Sequence, residues 1–271
     1  MSSIEAFLDE QLVNGRSYFS LDEAVRQHSM SPQAFAAAAR RLIKKQKLIR
    51  PRQEFFVIQR PEDRIAGPDP VKWIDGLMKY QKIDYRISLL SAAAHHGSSH
   101  QAAMVFQLVV PKQLRGIQVG RHRLQFVYQK APIFNKVNRP DWLSQIKSDE
   151  GFAKVAGVEL TLLDSMRYYG SAGGIDGVAQ MSKDIGGRAN PRKLAQVAAC
   201  YENSTVRRLG YLLERVGHER QAHALLPFAA KASSIQPLNP SVMSSLGFPI
   251  DKHKKDETWR LDINQVVEID S

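Results

Sequence analysis

SLDEAVRQHSMSPQAFAAAARRLIKKQKLIRPRQEFFVI, running from Ser20 to Ile58, decides how this chain is read. Ser20-Leu21-Asp22-Glu23 is a capping box, in which the Ser20 hydroxyl bonds the backbone at Glu23 and the Glu23 carboxylate reaches back. It opens a short helix to about His28. Ser31-Pro32 is a second helix start, a capping serine with proline at the first helical position. The helix from Pro32 to about Lys47 carries Arg40, Arg41, Lys44, Lys45 and Lys47 and no acidic residue. Two β-type runs follow, Lys47–Arg50 and Phe55–Ile58, separated by Pro51-Arg52-Gln53-Glu54, the spacing of a wing hairpin. Helix, helix and hairpin in this order predict a winged helix-turn-helix.

The two faces of the second helix sharpen the expectation. At about 100° per residue, Phe35, Ala38, Ala39, Leu42 and Ile43 fall on one apolar stripe. Gln33, Ala37, Arg40 and Lys44 fall opposite, with Arg41 flanking them. Small residues in the first two turns allow close approach to a groove, and the later cations reach phosphates or guanine edges. The candidate DNA contacts are Ser31, Gln33, Arg40, Arg41, Lys44, Lys45 and Lys47 on the helix, with Arg50 and Arg52 on the wing. The plain alternative is a solvated basic helix on an interaction domain.

Working outward, an amphipathic helix at Ile4–Val13 precedes this body, and Tyr18-Phe19 is placed as a short strand pairing with the wing. Arg60–Pro70, with Pro61, Gly67, Pro68 and Pro70 among Glu62, Asp63 and Asp69, reads as a linker. The expected domains are 1–64, a winged helix-turn-helix DNA-binding domain, and 65–271, an effector domain. In the latter, helices are expected at Asp69–Tyr80 and Tyr85–His96. Strands are expected at Met104–Val110, Gly116–Val119 and Arg121–Gln129, with a further one at Phe152–Val155. Helices follow at Val158–Tyr169, Gly174–Ile185, Asn190–Tyr201, Ser204–Val216 and Glu219–Ala230, then extended segments at Thr258–Ile263 and Val266–Ile269. The fold class is therefore α+β: the winged domain, then a larger α+β domain with a small, mostly antiparallel sheet and a helical array.

Of the 271 residues, 43% are hydrophobic and 24% charged, as in ordinary globular chains. No apolar run reaches membrane-spanning length, and the opening Met1-Ser2-Ser3-Ile4-Glu5 lacks the features of a secretory signal. With a single cysteine, Cys200, no intrachain disulfide is available, which points to the cytoplasm. The formal net charge of +11 favours an anionic partner. Residues 1–64 hold 11 Lys and Arg against 8 Asp and Glu, so most of the excess lies beyond them. Lys112, Arg115, Arg121, Arg123, Lys130, Lys136 and Arg139 lie on or around the expected sheet and form a candidate second basic surface, which Arg207 and Arg208 would extend unless they pair with Glu202 or Glu214.

Several segments beyond residue 86 resemble the AbiEi-type antitoxins of type IV toxin–antitoxin (abortive infection) systems. They are Ser88-Leu89-Leu90-Ser91-Ala92-Ala93-Ala94-His95-His96-Gly97, Val105-Phe106-Gln107-Leu108-Val109-Val110-Pro111 and Val158-Glu159-Leu160-Thr161-Leu162-Leu163-Asp164. Gly173-Gly174 ahead of a helix and Arg207-Arg208-Leu209-Gly210-Tyr211-Leu212-Leu213-Glu214 complete the set, and an N-terminal winged helix also suits that family. The resemblance implies binding to inverted repeats in the protein's own promoter and repression of the operon. It also implies that the second domain counteracts a nucleotidyltransferase-like toxin without a stable complex. It transfers no antitoxic residue, because the family's antitoxic residues form no short motif.

Signs of enzyme chemistry are weaker. His95, His96 and His100 invite a metal reading, but Gly97 interrupts their helix, and there is no His-Glu-x-x-His pattern or cysteine pair. Asp164 reads as a buried carboxylate with a structural partner. Gly170–Gly177 lacks the Lys-Ser or Lys-Thr of a phosphate loop. No catalytic residue, metal or cofactor is expected, and the protein is read as a non-enzyme. Two rivals remain: a nucleic-acid-targeted metal-dependent enzyme, and a ligand-responsive repressor.

Overall fold

The computed structural model describes residues 4–28, 31–98, 105–242 and 254–269. The chain divides into two compact units. The first comprises residues 1–87, 104–130 and 144–155; the second comprises 88–103, 131–143 and 156–271. The chain thus passes repeatedly from one unit to the other.

In the first unit, α1 (Ile4–Val13), β1 (Tyr18–Ser20), α2 (Leu21–His28), α3 (Pro32–Lys44), β2 (Leu48–Arg52) and β3 (Phe55–Ile58) form a small body. Its three strands pair antiparallel in the order β1-β3-β2, so Tyr18 and Phe19 join the hairpin as expected. The capping box is formed: the Ser20 amide donates to Glu23 at 2.7 Å and the Glu23 amide to the Ser20 hydroxyl at 3.3 Å. Burial works against the Glu23 carboxylate, yet Ser20 and the Arg16 guanidinium hold its pKa below the ordinary value. Phe7, Phe19, Phe35 and Phe56 meet ring to ring at centroid distances of 5.0 to 6.1 Å. Such rings pack edge-to-face or offset, adding roughly 0.5–1.5 kcal/mol per pair beyond area burial.

α3 ends at Lys44 rather than Lys47, because Gln46 takes a left-handed φ of 55° and breaks the helical path. Ile43, expected on the buried stripe, is 37% exposed. The presumed linker is ordered: a 3-10 turn at Pro61–Arg64 is followed by a backbone seated on the turn at Gly120. The Arg121 amide bonds the Ala66 carbonyl at 2.8 Å, and a Cβ on Gly120 would lie 2.4 Å from that oxygen. α4 (Pro70–Tyr80) then starts on its Asp69 cap.

The remaining strands of this unit are β4 (Arg86–Ile87), β5 (Val105–Val110), β6 (Ile117–Val119), β7 (His122–Tyr128), β8 (Leu143–Ser148) and β9 (Gly151–Ala156). They form one sheet in the order β6-β7-β5-β4-β9-β8. β5 pairs parallel with β7 along its whole length and β4 parallel with β9, while β6/β7 and β4/β5 are antiparallel. The sheet is therefore mixed, not mostly antiparallel: after β5 the chain turns through edge strand β6 and re-enters in the direction of β5. The expected helix from Tyr85 also gives way here, because Arg86 and Ile87 pair with Val109 and Leu108 instead. Met104, expected to start β5, lies outside the described residues.

The second unit holds α5 (Leu89–His95), α6 (Ala131–Val137), α7 (Val158–Arg167), α8 (Gly174–Ile185), α9 (Pro191–Ala198), α10 (Asn203–Arg215), α11 (Glu219–His223) and α12 (Leu226–Ala230). A small sheet follows, β10 (Gln236–Pro237), β11 (Lys254–Asp256) and β12 (Leu261–Ile263), in the order β10-β12-β11. α7 is buried from Glu159 to Met166 and packs against α5, α8, α9 and α10. The expected Glu219–Ala230 helix is two helices, with Pro227 in the first turn of the second, where a missing amide is tolerated. α6, β8, β10 and β11 are elements that the sequence pattern does not announce. Residues 258–260 form a turn, and residues 266–269 form no strand.

Candidate nucleic-acid interface

The site grows from the anchoring of α3. The Ser31 hydroxyl accepts the Ala34 amide at 3.2 Å, so this side chain is committed to the helix cap. Phe35, Ala38, Ala39 and Leu42 are buried in the body, which leaves Gln33, Ala36, Ala37, Arg40, Arg41 and Lys44 exposed in solvent. The expected opposite faces are thus present, except that Ile43 leaves the apolar stripe. Between α3 and the hairpin lies a cleft of about 470 Å³ whose walls include Arg40 and Ile43 on one side and Arg50, Gln53 and Glu54 on the other. Lys45 and Lys47 turn toward α1, with their ammonium groups 3.8 and 3.3 Å from Glu5. Such exposed pairs are worth about 0–1 kcal/mol and leave both cations available.

The two arginines of the β2–β3 hairpin part company. Arg50 is exposed and faces the cleft. Arg52 is half-buried: its guanidinium donates to the Arg115 carbonyl and lies 5.8 Å from the Phe126 ring centroid. Burial lowers the Arg52 pKa from the ordinary guanidinium value. The sequence held a signal for this difference in Pro51, since a proline inside a strand marks an edge or a bulge.

All seven residues of the second basic surface are exposed, but they belong to different units. Lys112, Arg115, Arg121, Arg123 and Lys130 lie around β5, β6 and β7 of the first unit. Lys136 and Arg139 lie on and after α6 of the second, where the Arg139 guanidinium sits 5.4 Å from the Trp142 ring. Arg207 and Arg208 do not extend the surface and pair with neither Glu202 nor Glu214. Both are buried, and they donate to main-chain carbonyls of the C-terminal segment: Arg207 to Ser234 at 3.0 Å and Arg260 at 2.8 Å, Arg208 to Pro237 at 2.9 Å. Glu202 instead meets Arg167, and Glu214 accepts the Trp259 indole N–H at 2.7 Å.

The enzyme-like residues resolve into scaffold. Asp164 is fully buried and accepts hydroxyl hydrogen bonds from Ser88 at 2.7 Å and Tyr201 at 2.6 Å. His96 is buried with Nε2 2.7 Å from the Ala156 carbonyl, and burial pushes its pKa down, favouring the neutral ring. His95 is exposed, and His100 lies outside the described residues. The described residues contain no group of three or more His, Cys, Asp or Glu placed to hold a metal ion. Gly173 and Gly174, at φ of 82° and 78°, lead into α8. Sequence reasoning overlooked a cleft of about 510 Å³ in the second unit, where Tyr211 and Arg215 of α10 face Lys254 and Lys255 of β11 across Ile263, Val266 and Val267. The Lys254-Lys255 doublet was its only sequence signal.

Residues 86–215 match the family model of the AbiEi antitoxin C-terminal domain. The match runs from β4 to the end of α10 and so spans every segment on which the resemblance rested. No curated protein matches the chain. Among solved structures the chain is similar to the crystal structure of the RV2827C protein from Mycobacterium tuberculosis, with a TM-score of 0.63 at 14% identity, covering 94% of this chain and 89% of that one. At that identity the likeness is one of fold alone. Among the described residues no helix is long and apolar enough to cross a membrane.

Proposed function

We propose, from the premise that residues 86–215 form an AbiEi antitoxin C-terminal domain and that the protein has an antitoxin role, that it is a DNA-binding autorepressor of its own toxin–antitoxin operon. Residues 1–64 act as a winged helix-turn-helix on inverted repeats of duplex DNA, and 65–271 as the effector. The effector counteracts a nucleotidyltransferase-like toxin without a stable complex, in the type IV manner. The protein works in the cytoplasm as a non-enzyme. The observation that carries the DNA reading is the exposed row Gln33, Ala37, Arg40 and Lys44 on an anchored helix, with Arg40 lining the same cleft as Arg50. α3 enters the major groove with Gln33, Arg40, Arg41 and Lys44 toward base edges and phosphates, while Lys45, Lys47 and Arg50 meet flanking backbone. The exposed cations of the sheet, Lys112 to Lys130, add to the attraction for duplex.

Gel-shift titration of the full chain on its own promoter tests this. Arg40→Ala is expected to weaken operator binding by about 1–3 kcal/mol, roughly 5- to 150-fold, with less effect on unrelated duplex. Arg50→Ala is expected to weaken both and to reduce the salt slope by about one. Operator affinity untouched by Arg40→Ala and Lys44→Ala together would remove α3 from the DNA.

One observation favours a ligand-responsive version of the same repressor. The α10/β11 cleft is lined by Ile263, Val266 and Val267 together with Tyr211, the cations Arg215, Lys254 and Lys255, and one carboxylate, Asp256, a cationic excess that suits a nucleotide or other anionic small molecule. A thermal shift with nucleoside triphosphates that disappears in the Lys254→Ala/Lys255→Ala variant supports it. Equal shifts in both proteins, or none in either, exclude it.

A further inference from the structure

In an uninterrupted strand Arg50 and Arg52 would project from the same face, since side chains alternate with a period of two. β2 is interrupted. Ile49 stands opposite Val57 and Arg52 opposite Phe55, so three steps on β2 match two on β3, and the register shifts between Ile49 and Arg52. That is a β-bulge, and Pro51, which is buried and has no amide hydrogen to lose from the ladder, occupies it. With Arg50 in the α3 cleft, Arg52 is directed to the other strand set, onto the Arg115 carbonyl ahead of β6 and the face of Phe126 on β7.

We propose that Arg52 is a positioning residue, a strut that clamps the wing to the β6–β7 end of the six-stranded sheet and thereby holds Arg50 toward the α3 cleft. The guanidinium suits this task because one planar group bonds a carbonyl and stacks on a ring at once, which an ammonium cannot do. β2 and β6 also touch directly, so the strut closes an existing contact. The wing and the sheet then move as one body, and a duplex meets a wing already in place. The consequence for DNA rests on the function proposed above; the clamp itself does not.

Two measurements separate a strut from a phosphate contact. In the free full chain, hydrogen exchange at the Gln53-Glu54 turn is expected to quicken roughly tenfold in Arg52→Ala, reflecting easier local opening, and to stay unchanged in Arg50→Ala. Phe126→Leu carries no charge change, yet it is expected to quicken the same amides, because it removes the ring on which the strut rests. In duplex titrations across salt concentrations, Arg52→Ala is expected to lower affinity with the salt slope retained, whereas loss of a phosphate contact reduces the slope by about 0.9. A reduced slope together with unchanged wing exchange in Arg52→Ala overturns the strut. If the parent protein shows no salt-dependent duplex binding, the DNA reading fails while the exchange data still judge the clamp.

Discussion

Replacing Trp259 with alanine is expected to cost the second unit about 3–5 kcal/mol, the range for emptying a buried indole site. Trp259 is fully buried, donates its indole N–H to Glu214 at 2.7 Å and has its own amide capped by Asp256 at 2.7 Å. Its ring lies flush on α10 because residue 210 is glycine: a Cβ there would stand 2.1 Å from the ring. Arg207 and Arg208 hold the neighbouring main chain from the same helix. Losing the ring therefore empties a cavity and loosens the anchor of the C-terminal segment. Urea unfolding gives the energy, and limited proteolysis of the full chain shows cleavage moving into residues 231–269. Gly210→Ala is expected to cost about 1–3 kcal/mol by overpacking. The two substitutions together should cost less than their sum, since the truncated side chain no longer collides with the new methyl. Strict additivity would mean that the ring and the glycine do not meet.

Gly76→Ala carries the second large effect, in the first unit. A Cβ on Gly76 would fall 2.1 and 2.2 Å from ring atoms of Tyr18, so the ring must move. Tyr18 is buried, stacks on Phe55 at 5.5 Å and donates its hydroxyl to Glu150 at 2.7 Å. Burial and the Glu150 carboxylate raise the tyrosine pKa, so the hydroxyl stays a donor throughout the physiological range. Displacement is expected to cost about 1–3 kcal/mol in overpacking, and about 1.5–3 kcal/mol more if the charge-assisted hydrogen bond breaks. Tyr18→Phe isolates the second part, because it removes only the hydroxyl. Thermal unfolding of Gly76→Ala, Tyr18→Phe and the double variant decides the division. A double variant as stable as Gly76→Ala alone shows that the methyl had already broken the bond.

The segments that carry the family resemblance contain buried, specifically bonded residues. Ser88 and Asp164 lie far apart in sequence yet share one buried hydrogen bond, and Thr161 bonds the Ala156 carbonyl at 3.1 Å. Arg207, Arg208 and Gly210 of the last segment together seat the C-terminal chain. A buried carboxylate or guanidinium needs specific partners, which restricts what can replace it. Val206, Leu209, Leu212 and Leu213 of α10 are all buried. Local spacing leaves Arg207 and Arg208 either on the basic surface or paired with Glu202 or Glu214, because nothing within a few residues shows that a later segment covers them.

The N-terminal body holds both kinds of information side by side. The capping box at Ser20, the Ser31-Pro32 start and the apolar stripe of α3 were legible from residues alone, because caps and helical periodicity act over three or four positions. The identity of both arginines was equally plain. Their destinations were not: Arg50 faces a cleft, while Arg52 reaches a carbonyl 63 positions further along the chain. A one-residue bulge redirects a side chain, and the partner that receives it is brought near only when the sheet assembles.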